Sequence, residues 1–259
     1  MVSQGVSAIS ANPLILGGTT EATALCRAMG EAGLRGTVSF AGRVERPRRQ
    51  PLPQRVGGFG GVDGLARYLK ENAVTHLIDA THPFASQMSR NAVEAAKITG
   101  IPLIAMTRPP WVPVPGDRWT RVPGTGAAVS ALQGASRRVL LAVGRQSLQD
   151  FAANPQHFYL LRVVDPPVAP LPFPDCEAIL DRGPFEEPND RALMQRFAID
   201  LMVSKNSGGP AAYAKIAAAR ALGLPVIMID RPPVPARQEV GTPEAVIAWL
   251  SHGATDLGV

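Results

Sequence analysis

The chain has 259 residues, 46% of them hydrophobic and 18% charged, a balance that suits two packed domains of modest size and argues against disorder. No run approaches the roughly 18 apolar residues of a membrane span, and the start, MVSQGVSAISANP, has neither a basic stretch nor a long apolar core, so neither membrane nor secretory signal is expected. The net charge of +5 suits an anionic small molecule, a phosphate or a polycarboxylate, whereas 5% aromatics and the lack of a helix-turn-helix or RNA-binding pattern argue against nucleic acid.

In chain order, apolar runs alternate with Ala-rich helical runs. NPLILGG reads as a strand and TEATALCRAMGEAG as a helix. GTVSFAGR and LPQRVGGFG follow as strands, then the helix VDGLARYLKENA, the strand THLIDATH, the helix SQMSRNAVEAAKITG and the strand IPLIAMTR. This order predicts an α/β fold with parallel strands and crossover helices, and the continuous apolar strands predict a sheet covered on both faces. Cys26 and Cys176 are isolated, with no metal-ligand or redox spacing, and read as small hydrophobes of a reducing cytoplasm.

The pattern repeats. Under a shift of 123 residues, Ile78–Pro110 aligns without a gap on Leu201–Pro233, with 8 identities in 33 positions. GIPLIAMTRPP falls on GLPVIMIDRPP, and Thr81-His82 falls on Ser204-Lys205. LILGGTTEA resembles LLAVGRQSL, and VPGTGAAVSAL resembles VGTPEAVIAWL. Two similar Rossmann-like units are therefore expected, 12–134 and 135–259, with a ligand cleft between them. The Pro-rich stretches RPPWVPVPGDRW and VDPPVAPLPFPD read as stiff connections.

Several stretches carry chemistry. Gly17 and Gly18 end the first strand, and Thr19, Thr20 and Glu21 open a helix. Glycines there let a ligand approach backbone, and a helix N-terminus favours an anion; a plain tight turn is the other reading. At the end of the second strand Arg43, followed by Arg46, Arg48 and Arg49, suits the 2'-phosphate of NADPH, where NADH would call for an acid. Gly57, Gly58, Gly60 and Gly61 surround Phe59 and suggest backbone lying against a flat ligand, or a flexible loop. With RVGG as the third strand, LIDATH is the fourth, and its end is expected beside the Gly17-Gly18 turn where strand order reverses. There Thr81 is a candidate helix cap or cofactor ligand, and His82, held extended by Pro83, a candidate to point at the ligand. In the second unit, Ser204, Lys205, Asn206, Ser207, Gly208 and Gly209 offer a cation, several donors and two glycines for carboxylates or phosphate. Arg108 and Arg231, equivalent in the repeat, are further candidates for carboxylates.

Taken in order, ILGGTTEA, SFAGR, GGFGG, DATHPFA, RGPF and SKNSGG resemble the precorrin-6A reductase family of cobalamin biosynthesis, over about residues 13–250. The resemblance implies an NADPH-dependent reduction of one double bond of the precorrin-6A macrocycle to give precorrin-6B. It also implies that the first unit holds the cofactor, through Gly17 to Glu21 and Arg43. The second unit has Arg145 and Gln146 where the first has Gly18 and Thr19, so a second dinucleotide is not expected. His82 and Lys205, at equivalent strand ends, are the candidates for binding the macrocycle and delivering a proton. No Tyr has Lys four residues on, which argues against a reductase built on a Tyr-x-x-x-Lys pair. An NADPH-sensing regulator without catalysis is the non-enzymatic alternative.

Overall fold

The computed structural model describes residues 11–41, 49–163, 166–167, 169–181 and 183–253, which form two compact units. One comprises the chain up to Arg108 together with the segment from Pro233 onward; the other is Pro109–Pro232.

The first unit begins with β1 (Pro13–Leu16), whose four residues are all buried. Helix α1 (Thr20–Glu31) follows, then β2 (Thr37–Phe40), β3 (Gln54–Val56), α2 (Gly61–Glu71), β4 (His76–Asp79), α3 (Ser86–Thr99) and β5 (Leu103–Met106). The last strand and helix, β12 (Gln238–Val240) and α8 (Pro243–Gly253), come from the far end of the chain. The sheet order is β12-β5-β4-β1-β2-β3, parallel throughout. Strand geometry sends alternate side chains to opposite faces. Ile15 and Ile78 join one core cluster with Leu25, Met29 and Val246, whereas Leu14, Leu16 and Leu77 join the other with Leu65 and Ala92. That two-sided burial is why β1 and the Leu77-Ile78 centre of β4 are apolar on both faces.

The second unit contains β6 (Arg118–Val122), α4 (Thr125–Ala131), β7 (Arg138–Ala142), the short α5 (Leu148–Phe151), β8 (Phe158–Val163), β9 (Cys176–Leu180), α6 (Glu187–Arg196), β10 (Leu201–Lys205), α7 (Ala214–Ala221) and β11 (Pro225–Ile229). Its parallel sheet runs β6-β11-β10-β7-β8-β9. The two orders correspond strand for strand, with β7 in the place of β1 and β10 in that of β4. Helices α3 and α7 both stop at a left-handed glycine, Gly100 (φ 72) and Gly223 (φ 64), paired by the 123-residue shift.

The boundary expected at 134/135 is corrected. Strand β6 pairs with β11 rather than β5, and β5 instead receives β12. Each unit thus takes its sixth strand and following helix from the segment beyond an Arg-Pro-Pro crossover, at Arg108-Pro109 and at Arg231-Pro232-Pro233. Local pattern announces a strand but not which sheet it joins, so the exchange left no mark on the periodicity.

Candidate functional site

In the first unit β1 lies directly against β4, with Leu16 in register with Asp79. The strand order therefore reverses where it was expected to, and the Gly17-Gly18 turn and the Thr81-His82 turn leave neighbouring strand ends. The two glycines have different reasons to be there. A Cβ on Gly17 would sit 2.9 Å from Val38 Cγ2, so the residue is held small by packing. Gly18 has φ +114 and nothing within 4 Å of a Cβ, so its backbone conformation and the open space beside it are what glycine supplies.

Thr19 caps α1: its Oγ1 accepts from Ala22 N at 3.0 Å and donates to Ala80 O at 2.8 Å, tying the turn to the end of β4. Thr20 donates to Glu21 Oε2 at 3.1 Å. Glu21, in the first turn of α1, is ion-paired with Arg108. An acid there opposes an incoming phosphate, and its pairing with Arg108 offsets that charge and leaves the helix N-terminus suited to one. Arg108 was expected to meet a substrate carboxylate; the carboxylate it meets in the structure is that of Glu21.

The loop Gly57–Gly61 follows β3, with Gly57, Gly60 and Gly61 at φ 126, 79 and 89. Arg55 organises it. Its guanidinium donates to Ser39 Oγ at 2.8 Å, Gly57 O at 2.9 Å and Gly58 O at 3.2 Å, and lies 3.9 Å from the Phe59 ring centroid. Gly64 is held small as well, since a Cβ there would fall 1.7 Å from Phe59 O. Arg43, Arg46 and Arg48 lie outside the described residues.

At the end of β4, Asp79 is a buried junction. Oδ1 accepts from Thr81 N at 3.1 Å and Thr81 Oγ1 at 2.7 Å, while Oδ2 accepts from Ser89 Oγ at 2.6 Å and from Arg237 Nη1. Thr81 is not the cap of α3, which starts after Ala85 with no side-chain cap. Its hydroxyl serves the β4–α3 turn instead. His82 Nδ1 accepts from Phe84 N at 3.2 Å, which selects the tautomer protonated on Nε2.

In the second unit β10 lies against β7, so SKNSGG leaves the equivalent reversal point. Lys205 Nζ donates to Ser147 Oγ at 2.8 Å, in the helical turn Arg145–Ser147 after Gly144. Ser204 is fully buried and donates to Lys205 O at 3.2 Å. Asn206 is buried on a backbone partner: Oδ1 accepts from Trp111 N at 2.8 Å and Nδ2 donates to Trp111 O at 2.9 Å. Ser207 is buried and its carbonyl accepts from Arg231 Nη2 at 3.0 Å, while Arg231 Nε donates to Asn206 O at 3.1 Å. Gly209 O accepts from Trp111 Nε1 at 2.7 Å. Much of this loop therefore binds the incoming Pro109–Trp111 segment and Arg231, and Lys205 is the member whose charge stands at the strand end.

Sequence reasoning passed over Arg55, Asp79's partner Arg237, Ser147 and Trp111. Arg237 meets Asp79 across 158 residues, a separation no spacing rule spans. Among the described residues, no group of three or more His, Cys, Asp or Glu side chains is placed to hold a metal ion, and no helix is long and apolar enough to cross a membrane.

The precorrin-6x reductase CbiJ/CobK family model matches residues 13–251. The chain belongs to the precorrin-6A reductase family. A precorrin-6A reductase of Rhodobacter capsulatus is 56% identical over 95% of this chain and 98% of its own. One from Mycobacterium tuberculosis is 41% identical over 86% and 90%. A solved structure of CobK precorrin-6A reductase superposes with a TM-score of 0.90 at 54% identity, covering 93% of this chain and 96% of that one. As a member of this family the chain is an oxidoreductase of cobalamin biosynthesis.

Proposed function

We propose that the protein reduces one double bond of metal-free precorrin-6A to precorrin-6B with NADPH. The observation that carries this is 56% identity across nearly the whole chain to a precorrin-6A reductase. Relatives named for the cobalt-containing precorrin are only 29% to 30% identical, which favours the metal-free macrocycle. The reversal point of the first unit suits a dinucleotide. Gly18 supplies open backbone, α1 supplies a helix N-terminus relieved of the Glu21 charge, and Arg43 supplies a partner for a 2'-phosphate. Bound NADPH supplies the hydride, and one proton completes the reduction. The chain's residues place and charge-balance the reactants. Lys205 offers a fixed cation for an acetate or propionate arm, and His82, with Nε2 protonated, offers a donor at its strand end.

The test is absorbance at 340 nm. NADPH is consumed on addition of precorrin-6A, and NADH serves far less well. Bound NADPH that precorrin-6A leaves unoxidised favours the regulator reading.

A further inference from the structure

We propose that Arg237 is a positioning residue that acts through Asp79 on the Thr81-His82 turn. The argument begins with burial. The side chains of Asp79 and Arg237 are 1% and 10% exposed, so the ion pair is held away from water, where a lost partner is felt most. A latch for the returning segment would need only one carboxylate oxygen. Asp79 instead divides its acceptors. Oδ2 takes Arg237 and Ser89, and Oδ1 takes both the backbone N–H and the hydroxyl of Thr81.

The carboxylate plane is thus set by Arg237 and Ser89 on one side and sets the turn on the other. His82 follows directly, and its own Nδ1 is engaged by Phe84 N inside the same turn. Arg237 is itself fixed, since it sits just before β12 in register with β5, and Nε faces Glu239 at 3.3 Å. A displacement of Arg237 rotates the Asp79 carboxylate, releases Thr81 and frees the imidazole to change tautomer and direction.

This rests on the proposed role of His82, and a double-mutant cycle separates the two ideas. Turnover of precorrin-6A with NADPH is measured for wild type, R237M, H82A and R237M/H82A. The expectation is a roughly tenfold loss of kcat for R237M, with the NADPH dissociation constant within about twofold, and less than a twofold effect of R237M in the H82A background. A second readout needs no ligand. The chain has four His, so 15N-histidine labelling resolves the His82 ring, whose Nε2–H tautomer in wild type gives way to a mixture in R237M. If R237M does not fold, R237K carries both tests, with a smaller loss that again vanishes in H82A. Additive losses, a silent R237M, or an unchanged His82 ring overturn the positioning role alone. H82A at wild-type turnover overturns the His82 reading and this proposal with it.

Discussion

Gly208→Ala tests whether the SKNSGG loop is built around the chain crossover. A Cβ at Gly208 would lie 2.1 Å from Pro109 O and 2.3 Å from Arg231 Nη2. Ordinary contact needs about 1 Å more, and neither neighbour is a loose side-chain tip. The Pro109 carbonyl precedes Trp111, whose N–H and C=O are both bonded to Asn206 at 2.8 and 2.9 Å, and Arg231 Nη2 is bonded to Ser207 O at 3.0 Å. Gly208 also has φ +69, which costs an L-residue about 1 kcal/mol. Weakening the Arg231 bond and one or two of the Asn206 bonds adds about 1 kcal/mol each, for a total of about 3–4 kcal/mol. Gly223→Ala is the control, because Gly223 lies in the same unit with φ +64 and nothing within 4 Å, so it incurs the backbone cost of about 1 kcal/mol alone.

The assay is urea unfolding followed by tryptophan fluorescence. Trp111 and Trp119 lie in the second unit and Trp249 in the first, so a Trp249→Phe background reports the second unit, and unfolding of the two units need not coincide. Gly208→Ala should cost at least 2 kcal/mol more than Gly223→Ala. Equal costs would refute the close approach. A stable Gly208→Ala enzyme that had lost only substrate affinity would return this glycine to ligand binding.

Three further outcomes are expected. Arg43→Ala should weaken NADPH binding by about 1.5–3 kcal/mol with little change for NADH, measured by fluorescence titration; equal losses would show that Arg43 does not read the 2'-phosphate. Lys205→Ala should raise KM for precorrin-6A by roughly tenfold or more while the NADPH dissociation constant stays unchanged, and a change in NADPH affinity instead would move Lys205 to the cofactor. His76 is 6% exposed, and burial lowers its pKa below 6.5. The folded state therefore resists its protonation, so this part of the stability is complete above pH 6.5 and is lost as pH falls through the lower folded value. His76→Asn should flatten the drop in Tm between pH 7.5 and 5.5, and an unchanged slope would mean that the ring is protonated at no cost.

What sequence showed and what it hid divide along a physical line. Buried parallel strands are apolar on both faces, so LIL in β1 and the Leu77-Ile78 centre of β4 were legible, and their adjacency followed from counting strands. A shift of 123 residues found the second unit, because equivalent strands, helices and the Gly100/Gly223 caps demand similar residues. Strand exchange was not legible. A strand such as β6 reads alike whether it closes one sheet or the other, and only the pairing of β6 with β11 and β12 with β5 decides.

The same exchange engages polar residues that the sequence also offered to a ligand. Asn206 and Arg231 looked like ligand groups because they are polar and sit where Rossmann-like units bind ligands. They are engaged by the exchanged segment, through Trp111 and the carbonyls of residues 206 and 207. In the first unit the exchanged segment supplies Arg237, which meets Asp79 at the corresponding strand end. Both reversal points thus carry polar groups that hold a returning chain. A strand-end polar residue in such a fold is assigned to chemistry only after its bonds to that returning chain are counted. We propose Lys205, whose Nζ donates to Ser147 Oγ, and His82, whose Nδ1 accepts from Phe84 N, for chemistry at those strand ends.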